Sequence, residues 1–344
     1  MSPKPGRALA MAQRLPLAQR RFENAVAEGA RRCGLPGEAV LCAVSGGPDS
    51  VALVAALARR AKTLEIQRLG VAYIDHQLRL AAAEEAAAVR RLAAALDLPF
   101  YLARVQVQAK GVGLEAGARA ARYLALTEMA TQADFSVVAT GHTRTDQAET
   151  VLLRLLRGSG LRGLSAMAEA RELSPGVRLC RPLLSLSGAD TRAYTAAAKL
   201  STSWDESNAD RNIRRNALRL DVWPALAALE PTLELRLYEF ARQCREDEAA
   251  LEALARSASA TLLRVAAGAV VLPAKTVAAL PPAIARRVLR RAILELRPSA
   301  QPSALHLREL LVLCNRGGRG EVHVAGDLTG LLAAGQLTLC PRPR

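Results

Sequence analysis

The sequence predicts an α/β protein with an N-terminal parallel-sheet domain and a mainly helical, basic C-terminal region that ends in a small β-rich piece. Four short apolar runs recur between residues 39 and 140, separated by helix-forming segments rich in Ala, Leu, Arg and Glu. Strands that alternate with helices roughly every 30 residues indicate βαβ units around a buried parallel sheet. The runs are Ala39–Val44, Leu69–Ile74, Phe100–Val105 and Phe135–Thr140, and Val51–Arg60 and Ala83–Leu96 are helical segments between them.

The rhythm of the chain changes after about residue 170. The breakers Pro175, Gly176 and Pro182 predict that Arg171–Pro182 is a linker. Beyond it the pattern predicts a helix near Leu186–Leu200, a polar loop over Ser201–Arg211 and helices from about Asn216. A long amphipathic helix is predicted over Thr232–Val265. The short strand Ala269–Leu272, two arginine-bearing helices and a glycine-rich β end are predicted to follow it. We therefore predict an N-terminal extension over residues 1–35, the α/β domain over 36–220 and the basic helical region over 221–344.

Composition excludes several classes of protein. With 51% hydrophobic and 23% charged residues, the chain can bury a core and is not disordered. A membrane span is excluded, since no run of about 18 apolar residues lacks a charge, and the N-terminus does not resemble a secretion signal. The six cysteines form no CxxC motif and have no metal-ligand spacing, so we expect a reduced, cytoplasmic protein without a zinc or iron–sulfur site.

The charge of the chain predicts a polyanionic partner. Of its 344 residues, 47 are basic and 32 are acidic, which gives a formal net charge of +15. A bias toward GC-rich codons explains arginine in place of lysine, but it does not explain the excess of basic over acidic residues. The simplest partner for such a chain is a nucleic acid.

The hexapeptide Ser45-Gly46-Gly47-Pro48-Asp49-Ser50 follows the first predicted strand and precedes a helix. Two glycines let the backbone approach an anion, and the N–H groups of the helix N-terminus point toward it. The segment lacks the lysine of a Walker loop. Asp49 would place a carboxylate where it can reach Mg²⁺ between phosphates. An N-capped turn is the alternative, but the complete hexapeptide at a strand end favours an anion-binding loop.

Three other segments place polar side chains where ligands bind in open parallel sheets. Asp75 and His76 follow the second strand, although such a pair can also cap a helix. Glu115, Arg119 and Arg122 lie on neighbouring helical turns, where the alternative is a solvated ion pair. After the fourth strand, His142, Asp146 and Glu149 have the spacing i, i+4 and i+7. This predicts one helix face that holds Mg²⁺ or an ammonium group, with a capped surface helix as the alternative.

The hexapeptide resembles the SGGxDS loop of the PP-loop ATP pyrophosphatases, and the other motifs resemble one branch of them, the tRNA(Ile)-lysidine synthases. Residues 73–79 resemble VDHxLR, residues 115–123 resemble ExxARxxRY, and residues 141–150 resemble HxxDDQxET with Thr145 at the first Asp. Residues 157–164 resemble RGSGLxGL, and Trp204–Asn208 with Arg214, Arg215, Asn216 and Arg219 resembles DxSN…RNxxR. The resemblance covers about residues 41–220, and it implies a PP-loop fold there and a tRNA-binding C-terminal region.

The resemblance implies a ligase that uses ATP and Mg²⁺ to adenylate the wobble cytidine of a tRNA(Ile) with a CAU anticodon. The amino group of L-lysine then displaces AMP and forms lysidine. The resemblance implies that ATP is bound by Ser45, Gly46, Gly47, Pro48, Asp49, Ser50, Arg122 and His142. It also implies that Asp49 and Asp146 bind the metal, and that the catalytic residues are Asp49, His142, Asp146 and Glu149. Substrate contacts are implied for Asp75, His76, Arg119, Asp146, Glu149, Arg215 and Arg219. Two copies of the chain are expected to be able to form a homodimer.

Two alternatives stay open at this point. A PP-loop tRNA thiolase shares the adenylation step, but it needs a CxxC or a pair of reactive cysteines, which the sequence lacks. A catalytically silent tRNA-binding protein would keep the fold without the chemistry. Thr145 is the only feature in favour of the silent protein, and the intact anion loop and carboxylates count against it.

Overall fold

The computed structural model describes residues 16–75, 82–105, 114–203 and 209–342, except for the side chains of residues 82 and 114–116. The chain divides into two units, one ending at Arg242 and the other beginning at Gln243. The strands are β1 (Ala39–Ala43), β2 (Arg68–Asp75), β3 (Phe100–Arg104), β4 (Val137–Thr140), β5 (Ala170–Ser174), β6 (Val177–Cys180), β7 (Arg264–Ala266), β8 (Ala269–Pro273), β9 (Gly320–Val324), β10 (Leu328–Ala333) and β11 (Gln336–Pro341).

The helices of the first unit are α1 (Leu17–Arg32), α2 (Pro48–Arg60), α3 (Ala82–Ala95), α4 (Leu114–Gln132), α5 (Arg144–Leu155), α6 (Leu161–Leu164), α7 (Gly188–Ala197), α8 (Arg214–Ala217), a π-helical turn (Leu218–Val222) and α9 (Trp223–Leu229). Helix α10 (Leu233–Leu262) contains the point at which the units divide, and α11 (Ala274–Ala279), α12 (Pro282–Leu296) and α13 (Ala304–Arg316) follow it. The long amphipathic helix predicted over Thr232–Val265 is confirmed as α10. No helix in the described ranges is long and apolar enough to cross a membrane.

The first unit is built on a six-stranded sheet in the order β3-β2-β1-β4-β6-β5. Strand β1 lies near its centre and pairs in parallel with β2 and β4, and Val40, Leu41 and Cys42 of β1 are fully buried. Buried side chains cover both faces, as a parallel sheet requires. The predicted α/β fold is confirmed, and the carboxyl ends of β1, β2 and β4 lie at one edge.

The prediction that Arg171–Pro182 is a linker is wrong. Strands β5 and β6 form an antiparallel hairpin, and β6 also pairs in parallel with β4. The two breakers Pro175 and Gly176 form the turn of this hairpin, where Gly176 adopts a φ of 81°. The segment Val177–Cys180 is the strand signal after the turn, because three of its four residues are apolar and buried.

Helix α1 lies within the segment predicted as an N-terminal extension. Its residues Val26 and Ala30 are fully buried and belong to the same core as α2 and β1. Its buried Glu23 forms ion pairs with Arg59 and Arg60 on α2. Packing therefore ties this helix to the sheet, and the boundaries at 35/36 and 220/221 stay predictions.

The second unit has its own sheet and core. Its five strands are antiparallel in the order β7-β8-β11-β10-β9. Helices α12 and α13 bury an apolar stripe that includes Val288, Leu289 and Leu310. The predicted strand over Ala269–Leu272 and the β-rich end are thereby confirmed.

Candidate active site

The carboxyl edge of the first sheet brings together segments that are distant in the sequence. The Ser45–Ser50 loop follows β1, Asp75 ends β2, and Gly141 and His142 follow β4. Ligands bind at this edge in open parallel sheets. Asp75 is half-buried beside Arg104, with 3.7 Å between its carboxylate and the guanidinium. His76 and Trp204–Asn208 lie outside the described residues.

The Ser45–Ser50 loop has the geometry of an anion-binding turn. Gly46 adopts a φ of 89°, and a Cβ there would lie 2.5 Å from Ser203 Oγ, so only glycine fits. Ser50 Oγ donates to the Gly47 carbonyl at 3.0 Å and accepts the Ser45 N–H at 3.1 Å. Helix α2 begins at Pro48, and no side chain caps it. Its first N–H groups are therefore available to a phosphate.

Gly141 fixes the distance between the end of β4 and the start of α2. A Cβ at Gly141 would lie 2.8 Å from Ser50 N and 2.9 Å from Asp49 C. The backbone after β4 thus packs directly against the residue that carries the predicted metal-binding carboxylate. No side chain larger than a hydrogen atom can stand between them.

Asp49 lies in a partly buried position between helices. The Thr191 hydroxyl on α7 contacts Asp49 Oδ1 and lies 2.9 Å from the Gly188 carbonyl. Burial raises the pKa of Asp49 to about 6, and the negative charge of Asp146 adds to this rise. The Thr191 hydrogen bond and the charges of Arg192 and Arg219 oppose it. Two carboxylates that repel one another in a buried site are well placed to share a cation.

The prediction that His142, Asp146 and Glu149 share a helix face is wrong for His142. Helix α5 begins at Arg144, and Thr143 is its N-cap, so His142 precedes the helix. Asp146 completes a capping box, in which its Oδ2 accepts the Thr143 N–H at 2.8 Å. The sequence spacing suggested a continuous helix, whereas the strong cap signal Thr143-x-x-Asp146 places the helix start after His142.

His142 is a neutral hydrogen-bonding group in this structure. Its Nδ1 lies 2.8 Å from the Thr140 hydroxyl. Burial lowers its pKa to about 3, and Arg181, Arg122 and Arg119 lower it further, while Asp146 acts in the opposite direction. The imidazole is therefore uncharged at neutral pH and can polarise a base or contact a phosphate without carrying a charge.

Asp146 and Glu149 are joined to two of the predicted tRNA-contacting arginines. Arg215 Nη2 lies 2.8 Å from Asp146 Oδ1, and its Nε lies 2.7 Å from Glu149 Oε2. Arg219, in the π-helical turn, binds Glu149 through Nε at 2.7 Å and Nη2 at 3.0 Å. The Glu149 side chain is 1% exposed. The structure thus combines the predicted ammonium site and the predicted tRNA contacts in one ion-pair cluster.

Thr145, the departure from the family motif, joins three helices. Its hydroxyl accepts the Gly188 N–H of α7 at 2.9 Å and donates to Glu234 Oε2 of α10 at 3.2 Å. Arg144 Nε donates to the other Glu234 oxygen at 2.9 Å. An aspartate at position 145 would face the Glu234 carboxylate and be repelled by it, which explains a neutral hydroxyl here.

Sequence reasoning missed Thr191, Glu234 and Arg181 as members of this region. Thr191 follows the capping box of Ser187 and Asp190 at the start of α7, a signal for a helix start but not for its neighbour Asp49. Glu234 and Arg181 lie far along the chain from their partners, and no local pattern connects them. The predicted Arg119 and Arg122 lie against the Tyr123 ring, with 5.6 and 5.4 Å from guanidinium carbon to ring centroid.

A loop with this geometry on a parallel sheet, facing carboxylates, defines a nucleotide-binding protein of the PP-loop class. The sequence profile of the PP-loop domain matches residues 15–226, and that of the TilS substrate binding domain matches residues 272–330. The tRNA(Ile)-lysidine synthase of Salinispora tropica is 43% identical over 306 residues, which cover 87% of this chain and 90% of that protein. That of Methylobacterium nodulans is 41% identical over 319 residues, 90% of this chain and 92% of that one. The chain belongs to the tRNA(Ile)-lysidine synthase family.

A solved structure shows the same fold at low sequence identity. The U34-tRNA thiolase NcsA from Methanococcus maripaludis, which carries a [4Fe-4S] cluster, aligns with a TM-score of 0.57 and 14% identity over 66% of this chain and 80% of that one. The thiolase alternative is not favoured for this chain. Cys42 lies inside β1, and burial raises its pKa to about 12, so its thiol is protonated and unreactive.

Proposed function

We propose that the protein ligates L-lysine to C2 of the wobble cytidine of a CAU-anticodon tRNA(Ile). ATP adenylates the C2 oxygen and pyrophosphate leaves. The amino group of lysine then attacks C2, the C–O bond to AMP breaks, and the nitrogen loses a proton as lysidine forms. The modified base pairs with A instead of G, so the tRNA decodes AUA instead of AUG.

The observation that carries this proposal is the packing of the anion loop against the exit of β4. Gly141 brings the backbone after β4 against Asp49 and Ser50, so the phosphate-binding turn and the Asp146 region share one edge of the sheet. The negative charge of Asp146 helps to raise the pKa of Asp49, as expected when both carboxylates lie at this edge. A nucleotide held by the loop would therefore have its α-phosphate directed toward neutral His142 and the two carboxylates.

Asp49 fits the role of a Mg²⁺ ligand. Magnesium in nucleotide sites is commonly held by one or two carboxylates together with phosphate oxygens, so a cage of three protein ligands is not required. In the described ranges no group of three or more His, Cys, Asp or Glu side chains is arranged for a metal. When bound, the ion would neutralise charge on the leaving pyrophosphate. Asp146 can join Asp49 only if Arg215 releases its Oδ1.

The Asp146–Glu149 pair fits the ammonium group of lysine. Both carboxylates are held by Arg215 in this structure, and Glu149 also by Arg219. We infer that lysine binds by replacing part of these contacts, since an ammonium group satisfies the same oxygens as a guanidinium. Release of Arg215 would free a cation for the tRNA at the moment when lysine enters.

Replacing Asp49 with Asn tests the nucleotide part of the proposal. The Asp49→Asn change keeps size and polarity but removes the charge, so tRNA-dependent ATP–pyrophosphate exchange should fall by at least about 100-fold. Binding of tRNA, measured by filter retention, should stay nearly unchanged. Asp134→Asn is the matched control, because Asp134 is exposed and precedes β4 at the opposite edge of the sheet. Its φ is 52°, a value that Asn also adopts. Unchanged exchange in Asp49→Asn would overturn the metal role.

A cytoplasmic location and a homodimer are part of the same proposal. All six cysteines are free, and five of them are buried, which supports a reducing compartment such as the cytoplasm. The homodimer rests on the family resemblance alone. Light scattering of the purified protein at several concentrations tests it, and a monomer at all of them would contradict it.

A further inference from the structure

Six arginines from four segments of the first unit form a cluster beside the active site. They are Arg119 and Arg122 on α4, Arg154 and Arg157 at the end of α5, Arg171 on β5, and Arg181 after β6. We call them the arginine cluster. Four of them lie beside Tyr123, and Arg154 is repelled by Arg119 and Arg157. Three guanidiniums lie 5.1–5.6 Å from the Tyr123 ring centroid, and the one at 5.1 Å is that of Arg171. The hairpin that the sequence predicted as a linker thus supplies two members of the cluster.

The charges of the arginine cluster are not neutralised within the described part of the chain. None of the six guanidiniums lies within ion-pair distance of a described carboxylate, whereas Arg215 and Arg219 are paired with acids. Arg154 and Arg181 are fixed by backbone carbonyls, at 2.6 Å from Gly163 O and Ala168 O respectively. Neutral carbonyls hold these side chains in place without cancelling their charge.

Apart from the contact between Tyr123 and Arg181 themselves, two buried polar atoms at the centre of the cluster have no hydrogen-bond partner among the described residues. They are the Tyr123 hydroxyl and Arg181 Nε, and Arg181 is 2% exposed. Buried polar atoms almost always have good hydrogen bonds, so a pair with no partner beyond one another points to a group that is bound in use. Both atoms are donors when the tyrosine is protonated, and their natural partner is an anionic oxygen.

Electrostatics in the cluster favours an anion. Burial alone would raise the pKa of Tyr123, but Arg119, Arg122 and Arg181 outweigh it, and the pKa is lowered. Burial lowers the pKa of Arg181, and the like charges of Arg171 and Arg119 lower it further. The attraction between Arg181 and neighbouring Tyr123 acts in the opposite direction. Like charges held together destabilise the free protein, and a bound anion would relieve their repulsion.

We propose that the arginine cluster binds backbone phosphates of the tRNA strand that carries the reacting base. The proposal rests on the proposed function, because it takes tRNA as the substrate. The phosphates of ATP already have a separate loop at Ser45–Ser50, so Arg122, which the resemblance assigns to ATP, is assigned with its neighbours to the tRNA. The cluster borders His142, whose pKa is lowered by three of its members. Its arginines range from buried Arg181 to exposed Arg157 and Arg171, as expected for a surface that follows a strand rather than a pocket for one small anion.

The tyrosine has a supporting role in this site. Guanidiniums lie against its ring, so the ring organises the arginines and is not a free platform for base stacking. Arginine suits such a site because its planar fork can bind two phosphate oxygens at once. The hydroxyl would add one hydrogen bond to the same phosphate.

Salt dependence of tRNA binding tests the inference on the full chain. We choose Arg157→Gln, Arg171→Gln and the double variant, because both side chains are exposed and their loss leaves the core intact. Affinity for an unmodified CAU-anticodon tRNA(Ile) transcript should fall, and the slope of log K against log salt should shrink by about 0.7 to 0.9 per arginine. The Michaelis constant for ATP in pyrophosphate exchange at saturating tRNA should not change.

Arg68→Gln is the matched control. Arg68 is also an exposed arginine whose guanidinium covers an aromatic ring, at 4.3 Å from the Phe135 centroid, but it begins β2 at the opposite edge of the sheet. It should leave both the affinity and the slope unchanged. Equal slopes for Arg68→Gln and the cluster variants would overturn the inference, and so would a raised Michaelis constant for ATP with unchanged tRNA affinity.

The outcome separates this inference from the proposed function. If the wild-type protein binds tRNA and the cluster variants lose slope while no lysine is ligated, the cluster assignment is supported and the ligase assignment fails. If lysine is ligated normally and the variants keep the full slope, the ligase assignment is supported and the cluster assignment fails.

Discussion

The role expected for Thr191 follows from its contact with Asp49, and its local sequence does not indicate it. Its side chain is fully buried, and its hydroxyl contacts the carboxylate of Asp49 on another helix. A carboxylate with the role proposed for Asp49, facing phosphates and a cation, needs a fixed rotamer, and a hydrogen bond from a buried hydroxyl supplies it. We therefore expect Thr191 to act through Asp49 as a positioning residue.

Replacement of Thr191 by valine tests this role. Thr191→Val keeps the shape and removes the hydroxyl, so exchange activity should fall about tenfold as Asp49 loses its orientation. Thr191→Ser keeps the hydroxyl and should restore most of the activity. The measurement is tRNA-dependent ATP–pyrophosphate exchange across a range of Mg²⁺ concentrations. Equal losses in both variants would show that packing, and not the hydrogen bond, is what matters.

Glu149 is the buried anion on which two arginines depend. Glu149→Gln should leave Arg219 without its carboxylate partner and Arg215 with Asp146 alone, and lower the free energy of unfolding by about 3 kcal/mol. Urea denaturation measures this. Glu252→Gln is the control, since its pair with Arg291 is about one-third exposed and should contribute less than about 1 kcal/mol. Similar losses in the two variants would contradict the account of Glu149 as a buried anion.

Among the elements, those specified by local sequence could be predicted and those specified by distant contacts could not. The run Ala39–Val44 followed by two glycines predicts a strand and an anion turn, because apolar residues and positive φ are local properties. The hairpin after residue 170 was missed because Pro175 and Gly176 are as common in linkers as in the turns of hairpins. The pairing of Glu149 with Arg215 and Arg219 joins residues more than 60 positions apart, and no periodicity reports it.

The junction of β4 with α2 gives a test at the level of elements. Gly141→Ala would place a methyl group 2.8 Å from Ser50 N and separate the two elements, so exchange should fall by about 100-fold. Gly160→Ala is the control, because nothing lies within 4 Å of its added Cβ and its φ is −76°. Exchange within a factor of about two of wild type in Gly141→Ala would mean that the close packing is not needed for catalysis.

At the scale of the whole molecule, the two units have separate cores, and we expect one to bind the nucleotide and the other to bind the tRNA substrate. The first unit holds the whole described nucleotide site, and the second matches a substrate-binding profile. A chain that ends at Arg242 should keep ATP binding but lose tRNA affinity by at least about tenfold, since the resemblance predicts that the second unit binds phosphates of the tRNA. Fluorescent ATP titration and filter binding measure the two affinities. An equal loss of both would show that the second unit is needed for folding of the first.

In the proposed reaction, ATP drives the attachment of lysine to one cytidine of one tRNA. The most direct measurement is incorporation of radiolabelled L-lysine into an unmodified CAU-anticodon tRNA(Ile) transcript, with and without ATP and Mg²⁺. We expect acid-stable label that depends on ATP and is confined to the wobble cytidine. Pyrophosphate exchange without incorporated label would contradict lysine as the nucleophile, and the absence of both signals would contradict the enzyme assignment itself.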